Sequence, residues 1–173
     1  MPENNRIIQY SHSNISNWRQ YLTSFGIEVV SEFSLTKVTD DILMICNCSN
    51  SKSSIDDDLT PAQLYQGVTV RRFCKMCSKY RITYAILSDM HGILYFDEKV
   101  KKYDMTPTNV NRPKLAAKIS EQLKIRNYTI IVYYCPAPSR AFTYLDFLVR
   151  IPDIKIIYTT KITCRKFHLQ SIL

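Results

Sequence analysis

Apolar positions along this chain gather into short unbroken runs separated by amphipathic stretches. The runs are Ile42 to Cys46, Ile82 to Leu87, Tyr128 to Tyr134 and Ile154 to Tyr158. Consecutive rather than alternating apolar residues suit strands covered on both faces, as in a parallel sheet. The stretches between them read as helices. Thr60-Pro61 is a helix start with proline at the first helical position, Ala62, Leu64 and Tyr65 begin that helix, and Gly67 breaks it. Val68 to Tyr80 follows as a second helix with Phe73, Cys74 and Cys77 on one face, and Arg112-Pro113 opens a third with Leu115, Ala116, Ile119 and Leu123 at helical spacing. Ala141 to Arg150 is the last, bearing Phe142, Leu145 and Leu148. Strands alternating with helices predict a mainly parallel sheet with helices on its faces.

Upstream, residues 1–40 read as an α/β extension packed on a core of residues 41–173. It comprises a strand at Ile7 to Tyr10, a helix capped by Ser16 and ended by Gly26, and a strand at Ile27 to Val30. The segment after Tyr158 fits strand and helix equally well.

Ligands of open α/β sheets bind beyond the carboxyl ends of the strands, so the loops there carry the candidate chemistry. The first supplies Cys48, Ser49 and Lys52, a thiol, a hydroxyl and a cation; the second is Ser88-Asp89-Met90-His91-Gly92, with a hydroxyl, a carboxylate and an imidazole. The third, Cys135-Pro136-Ala137-Pro138-Ser139-Arg140, reads as a loop stiffened by two prolines. Ordinary solvated turns are the competing reading for each.

Charge narrows the partners. A net charge of +8 and a pI near 9.2 favour an anionic ligand or polyanion, since the summed field concentrates such molecules. Arg71, Arg72, Lys75 and Lys79 form the candidate nucleic-acid surface, joined by Arg81 and the run Lys99 to Lys102; a solvated helix face is the alternative. With only three glycines and no GxGxxG or GxxxxGK pattern, a Gly-rich phosphate loop is not expected. No run is long enough to span a bilayer and MPENNRIIQY lacks the apolar core of a signal peptide, so the expectation is a cytoplasmic protein with no membrane partner. Cys46, Cys48, Cys74 and Cys77 have a spacing that invites a four-thiolate zinc site. Their periodicity instead places Cys74 and Cys77 on an apolar helix face and Cys46 inside a strand, so no cofactor or metal is assigned and zinc stays an alternative. Disulfides would be expected only in a hyperthermophile.

The order of these pieces resembles a family of small α/β proteins. Its members carry Cys-Ser-x-x-Lys, Leu-Tyr, Ile-Leu-Ser-x-x-(Tyr/His)-Gly-Leu and Tyr-Asp in that order. Here the matching residues are Cys48-Ser49 with Lys52, Leu64-Tyr65, Ile86-Leu87-Ser88 with His91-Gly92, and Tyr103-Asp104. The same skeleton is distantly similar to the core domain of archaeosine synthase, a tRNA-modifying enzyme, and to the uracil-DNA glycosylase-like fold. That resemblance implies a three-layer sandwich around a four-stranded, mainly parallel sheet of strand order 2-1-3-4, whose strand-end loops form a base or nucleotide pocket. It implies base modification in tRNA or DNA, with Cys48, Lys52, His91 and Asp104 as catalytic candidates. Ser49, Tyr65, Ser88, Gly92 and Tyr103 would contact the substrate. The synthase motif Pro-Cys-x-x-x-Lys-Pro-Tyr is not reproduced, because Asn47 precedes Cys48 and Ser53-Ser54 follow Lys52. The glycosylase water-activating motif is absent too. A non-catalytic basic nucleic-acid-binding protein and a zinc-binding regulatory protein are the other two readings.

Overall fold

A computed structural model describes residues 17–103 and 112–164. The expected elements at Ile7 to Tyr10 and Ser16, and the candidate Asp104, lie outside them. Strands β3 (Ile42–Asn47), β4 (Tyr84–Ser88), β6 (Ile130–Tyr134) and β7 (Lys155–Thr159) are the four apolar runs. They pair in parallel, with β3 between β4 and β6 and β7 outside β6. In chain order this is 2-1-3-4, the order expected. The sheet nevertheless has six strands, not four. β1 (Glu28–Val30) adds in parallel to β7, and β5 (Gly92–Tyr95) adds antiparallel to β4 at the other edge. Thus the N-terminal segment contributes an edge strand, and the sequence around Gly92 turns straight back as a hairpin. A separate two-stranded sheet joins β2 (Phe33–Ser34) to β8 (Ile162–Thr163).

Alternate residues of the central strands feed two cores. Leu43, Ile45, Ala85, Leu87, Ile131 and Tyr133 face one side, where α1 (Trp18–Thr23), α4 (Arg112–Ile125) and α5 (Pro138–Leu148) bury Leu22, Ile119, Leu123 and Phe142 against them. Met44, Cys46, Ile86 and Val132 face the other, covered by Leu64 of α2 (Pro61–Leu64) and by Val70, Phe73, Cys74 and Cys77 of α3 (Val68–Lys79). Each layer removes apolar side chains from water, roughly 1.5–3 kcal/mol for each one fully buried. α5 begins earlier than its apolar periodicity suggests, because Pro138 takes the first helical position, where its missing N–H costs nothing.

Two local devices place the strand-end loops. Gly92, at φ +75°, makes the β4–β5 turn, and a side chain there would collide with Gln122 Oε1. Gln122 accepts from the Ile93 N–H and donates to the carbonyls of His91 and Ile93, fastening this turn to α4. The excursion between β3 and α3 is closed by antiparallel bridges, Lys52 with Tyr65 and Leu59 with Val100. Ser53 N–H to Leu64 O, at 2.7 Å, completes the closure.

Candidate functional site

The chain steps from β3 to β4 on one side and later to β6 on the other, so the carboxyl ends of β3 and β6 diverge at a switch point. A crevice of about 570 Å³ opens there. Asn47, Cys48, Ser49 and Asn50 line it from β3, and Cys135, Pro136 and Ala137 from β6. The start of α3 and the first two turns of α5 complete it, with Gly67 to Val70 on one side and Arg140, Thr143 and Tyr144 on the other.

Both helices start without a side-chain cap. The cap positions are Gly67 and Ala137, neither of which has a side chain that can accept an N–H, and neither first turn holds an acidic residue. Helix starts more often carry Ser, Thr, Asp or Asn in this role. The positive ends of two helix dipoles therefore lie at one crevice beside the exposed Arg140, although at α5 Pro138 has no N–H and the Arg140 and Ala141 N–H groups are bonded to Ala137 O. Ser49 fixes the approach. Its Oγ accepts the Gly67 N–H at 3.1 Å, and any Cβ on Gly67 would lie 2.6 Å from Ser49 Cβ.

Behind the crevice lies a buried polar cluster. Cys48 Sγ donates to Asp89 Oδ2 at 3.4 Å and sits 3.7 Å from the Tyr144 hydroxyl. Asp89 is only 5 % exposed, and its Oδ1 has no hydrogen-bond partner among the described residues. Burial raises its carboxyl above the ordinary carboxylate range, opposed by Cys48, Tyr144 and the Lys52 charge. Burial, with the Asp89 charge next in importance, pushes the Cys48 thiol up to about 11. At neutral pH Cys48 is thus a thiol that donates, not a thiolate nucleophile. On the far side of the cluster, Tyr103 bonds through its hydroxyl to Ser88 Oγ at 2.8 Å and to the Tyr65 hydroxyl. Lys52 Nζ lies 4.6 Å from the centre of the Tyr103 ring, and His91 meets that ring edge-on at 5.0 Å. Burial, then the Lys118 charge, lowers the His91 pKa, leaving a neutral imidazole whose Nε2 has no partner among the described residues.

Of the residues singled out in the sequence, Cys48, Lys52, Tyr65, Ser88, His91 and Tyr103 therefore converge at one edge of the sheet. Only Cys48 and Ser49 line the crevice itself. Gly92 is accounted for by its turn and by Gln122. Arg71, Arg72 and Lys75 border a separate groove of about 450 Å³ on α3, which shares Val68 with the crevice. Lys79 lies over Tyr80, 5.4 Å from its ring centre. Cys46, Cys74 and Cys77 are buried free thiols of the second core, and among the described residues no group of three His, Cys, Asp or Glu could hold a metal ion. No helix among the described residues is long and apolar enough to cross a membrane. Tyr144 is the site residue to which the sequence did not point, whereas Asp89 and Arg140 stand in strand-end loops named there without being candidate site residues. Asp89 was in view within the second strand-end loop, whereas nothing in the rhythm of α5 distinguished Tyr144.

Fold and crevice together define a class, the open and mainly parallel α/β proteins with a crevice at a switch point. Beyond that class, no family model, curated protein or solved structure matches the chain.

Proposed function

We propose that the chain binds a nucleotide in the switch-point crevice. The observation that carries this reading is the pair of uncapped helix starts beside Arg140 in one crevice, an arrangement suited to a phosphate. The volume of about 570 Å³ is that of a small-molecule pocket. Modification of the bound base is the activity that the archaeosine synthase resemblance points to; of its candidate residues Cys48 and Ser49 line the crevice, while Lys52, Ser88 and His91 stand behind it around Tyr103. The test is titration of the protein with nucleoside monophosphates against the parent nucleosides. Micromolar to millimolar binding of the phosphorylated forms, weakened at least tenfold by loss of the phosphate or by Arg140→Ala, is expected; equal binding of both forms would remove the reading.

A second observation favours a nucleic-acid strand as the carrier of that nucleotide. The α3 groove holds Arg71, Arg72 and Lys75, none of which has a carboxylate partner among the described residues, whereas Lys155 and Lys161 elsewhere pair with Glu28 and Glu32. Strand binding should weaken with salt, and Arg71→Ala with Lys75→Ala should flatten the log–log slope by about 1.4, at about 0.7 per phosphate contact. An unchanged slope would place the strand elsewhere.

A further inference from the structure

The crevice does not end where α3 begins. Its wall passes over Val68, which is 65 % exposed, into the groove of about 450 Å³ on the outer face of that helix. Val68, Arg71, Arg72, Lys75 and Ser78 follow one another at steps of three and four or less, so they form one stripe about 15 Å long. Ala62 of α2 and the buried Cys74 add apolar surface beside it.

The stripe differs from an ordinary solvated face. α3 carries Arg71, Arg72, Lys75 and Lys79 and no Asp or Glu. Arg71 with Lys75, and Lys75 with Lys79, are like charges at a spacing that weakens a helix, whereas a face that serves only solubility intersperses both signs. This repulsion stands unrelieved along a groove that also offers an apolar floor. A single nucleic-acid strand meets both features, laying phosphates on the cations and a base face on the floor. A duplex keeps its bases stacked inside and has no base face to offer. Crevice and groove each have the volume of a small-molecule pocket.

We propose that the ligand is an unpaired strand held two nucleotides at a time, one in the crevice and its neighbour in the α3 groove, with the linking phosphate passing over Val68 beside Arg71. This rests on the nucleotide reading of the crevice and adds the second unit.

The experiment is calorimetric titration of the full chain at low salt with the dinucleotides pApA, pCpC, pGpG and pUpU against AMP, CMP, GMP and UMP. At least one dinucleotide should bind on the order of tenfold or more tightly than its mononucleotide, the worth of one further base on an apolar floor. The 3′,5′-bisphosphate of the same nucleoside supplies the second phosphate without the second base and should recover only part of that gain. Ala62 and Lys75 are exposed, and Ala62→Glu and Lys75→Glu should each cancel the gain; cooperative thermal unfolding checks that both variants fold. The same dinucleotide step in an unpaired oligonucleotide should bind on the order of tenfold more tightly than in a hairpin stem. A dinucleotide no tighter than its mononucleotide, a gain that both folded variants retain, or a stem bound as well as the unpaired strand would overturn the proposal and leave the crevice its single nucleotide. An oligoglutamate peptide that binds the wild-type chain and is lost in Lys75→Glu, where no dinucleotide shows a gain, would overturn it in favour of an acidic protein segment. Absence of all nucleotide binding would overturn both readings.

Discussion

Asp89 is a source of instability at neutral pH. It is buried, has no salt bridge among the described residues and leaves Oδ1 unmet. Burial raises its pKa above the ordinary 3.8, so the folded chain holds this proton more tightly than the unfolded chain does. Its penalty is therefore complete above the raised pKa, fades as the pH falls through the window below it, and is gone beneath the ordinary value. Asp89→Asn removes the charge without changing the shape. It should raise stability at neutral pH by roughly 1 kcal/mol, about 2–4 °C in Tm for a chain of this length, and the gain should disappear towards about pH 3. Paired melting curves across pH check this; a gain that persisted in acid would assign the effect to packing.

At the scale of elements, two glycines separate the site from the scaffold. Gly67 has an ordinary φ of −61°, so alanine there meets no backbone strain, only Ser49 Cβ at 2.6 Å. Gly67→Ala should displace the 48–51 loop and lower ligand affinity by about tenfold or more, with a stability loss near the mutational average of about 1 kcal/mol. Gly92→Ala meets both a positive φ and Gln122, and should cost about 1–3 kcal/mol. Thermal unfolding together with ligand titration of the two variants distinguishes them; equal stability losses would deny Gly67 its special place. The same elements show what was legible in the sequence. Ile42 to Cys46 and the runs after it announce buried strands because parallel pairing covers both faces, and their order places Cys48, Ser88 and His91 at one sheet edge. Gly92 to Tyr95 does not announce itself as a strand, because four residues after a turn are too short a run to carry a period. Pro136 and Pro138 both read as loop, although Pro138 starts a helix. The burial of Asp89 was not legible, since a carboxylate in a turn is ordinarily solvated and its cover comes from Tyr144, much later in the chain.

Over the whole molecule, charge and closure are distributed unevenly. Cations near β1 and β7 are matched by Glu28 and Glu32, while those on α3 have no carboxylate partner among the described residues. This sets the basic groove beside the crevice and away from the paired edge. The excursion between β3 and α3 shows the same division of labour. Its bridges hold Lys52 to Tyr65 and Leu59 to Val100, yet the five residues between Ser53 and Leu59, Ser54 to Asp58, are all exposed. Everything that shapes the site is fastened on either side of that tip. The polypeptide could therefore be opened there and given new ends, or lengthened, without loosening the cluster around Tyr103. A ten-residue Gly/Ser insertion after Asp57 should lower Tm by only a few degrees, because extending a surface loop adds little closure entropy. Collapse of the fold on such an insertion would mean that the tip itself, not its bridges, holds the loop. A chain that tolerates the insertion offers a place for a fluorophore or an affinity tag on an exposed tip that lines no part of the crevice.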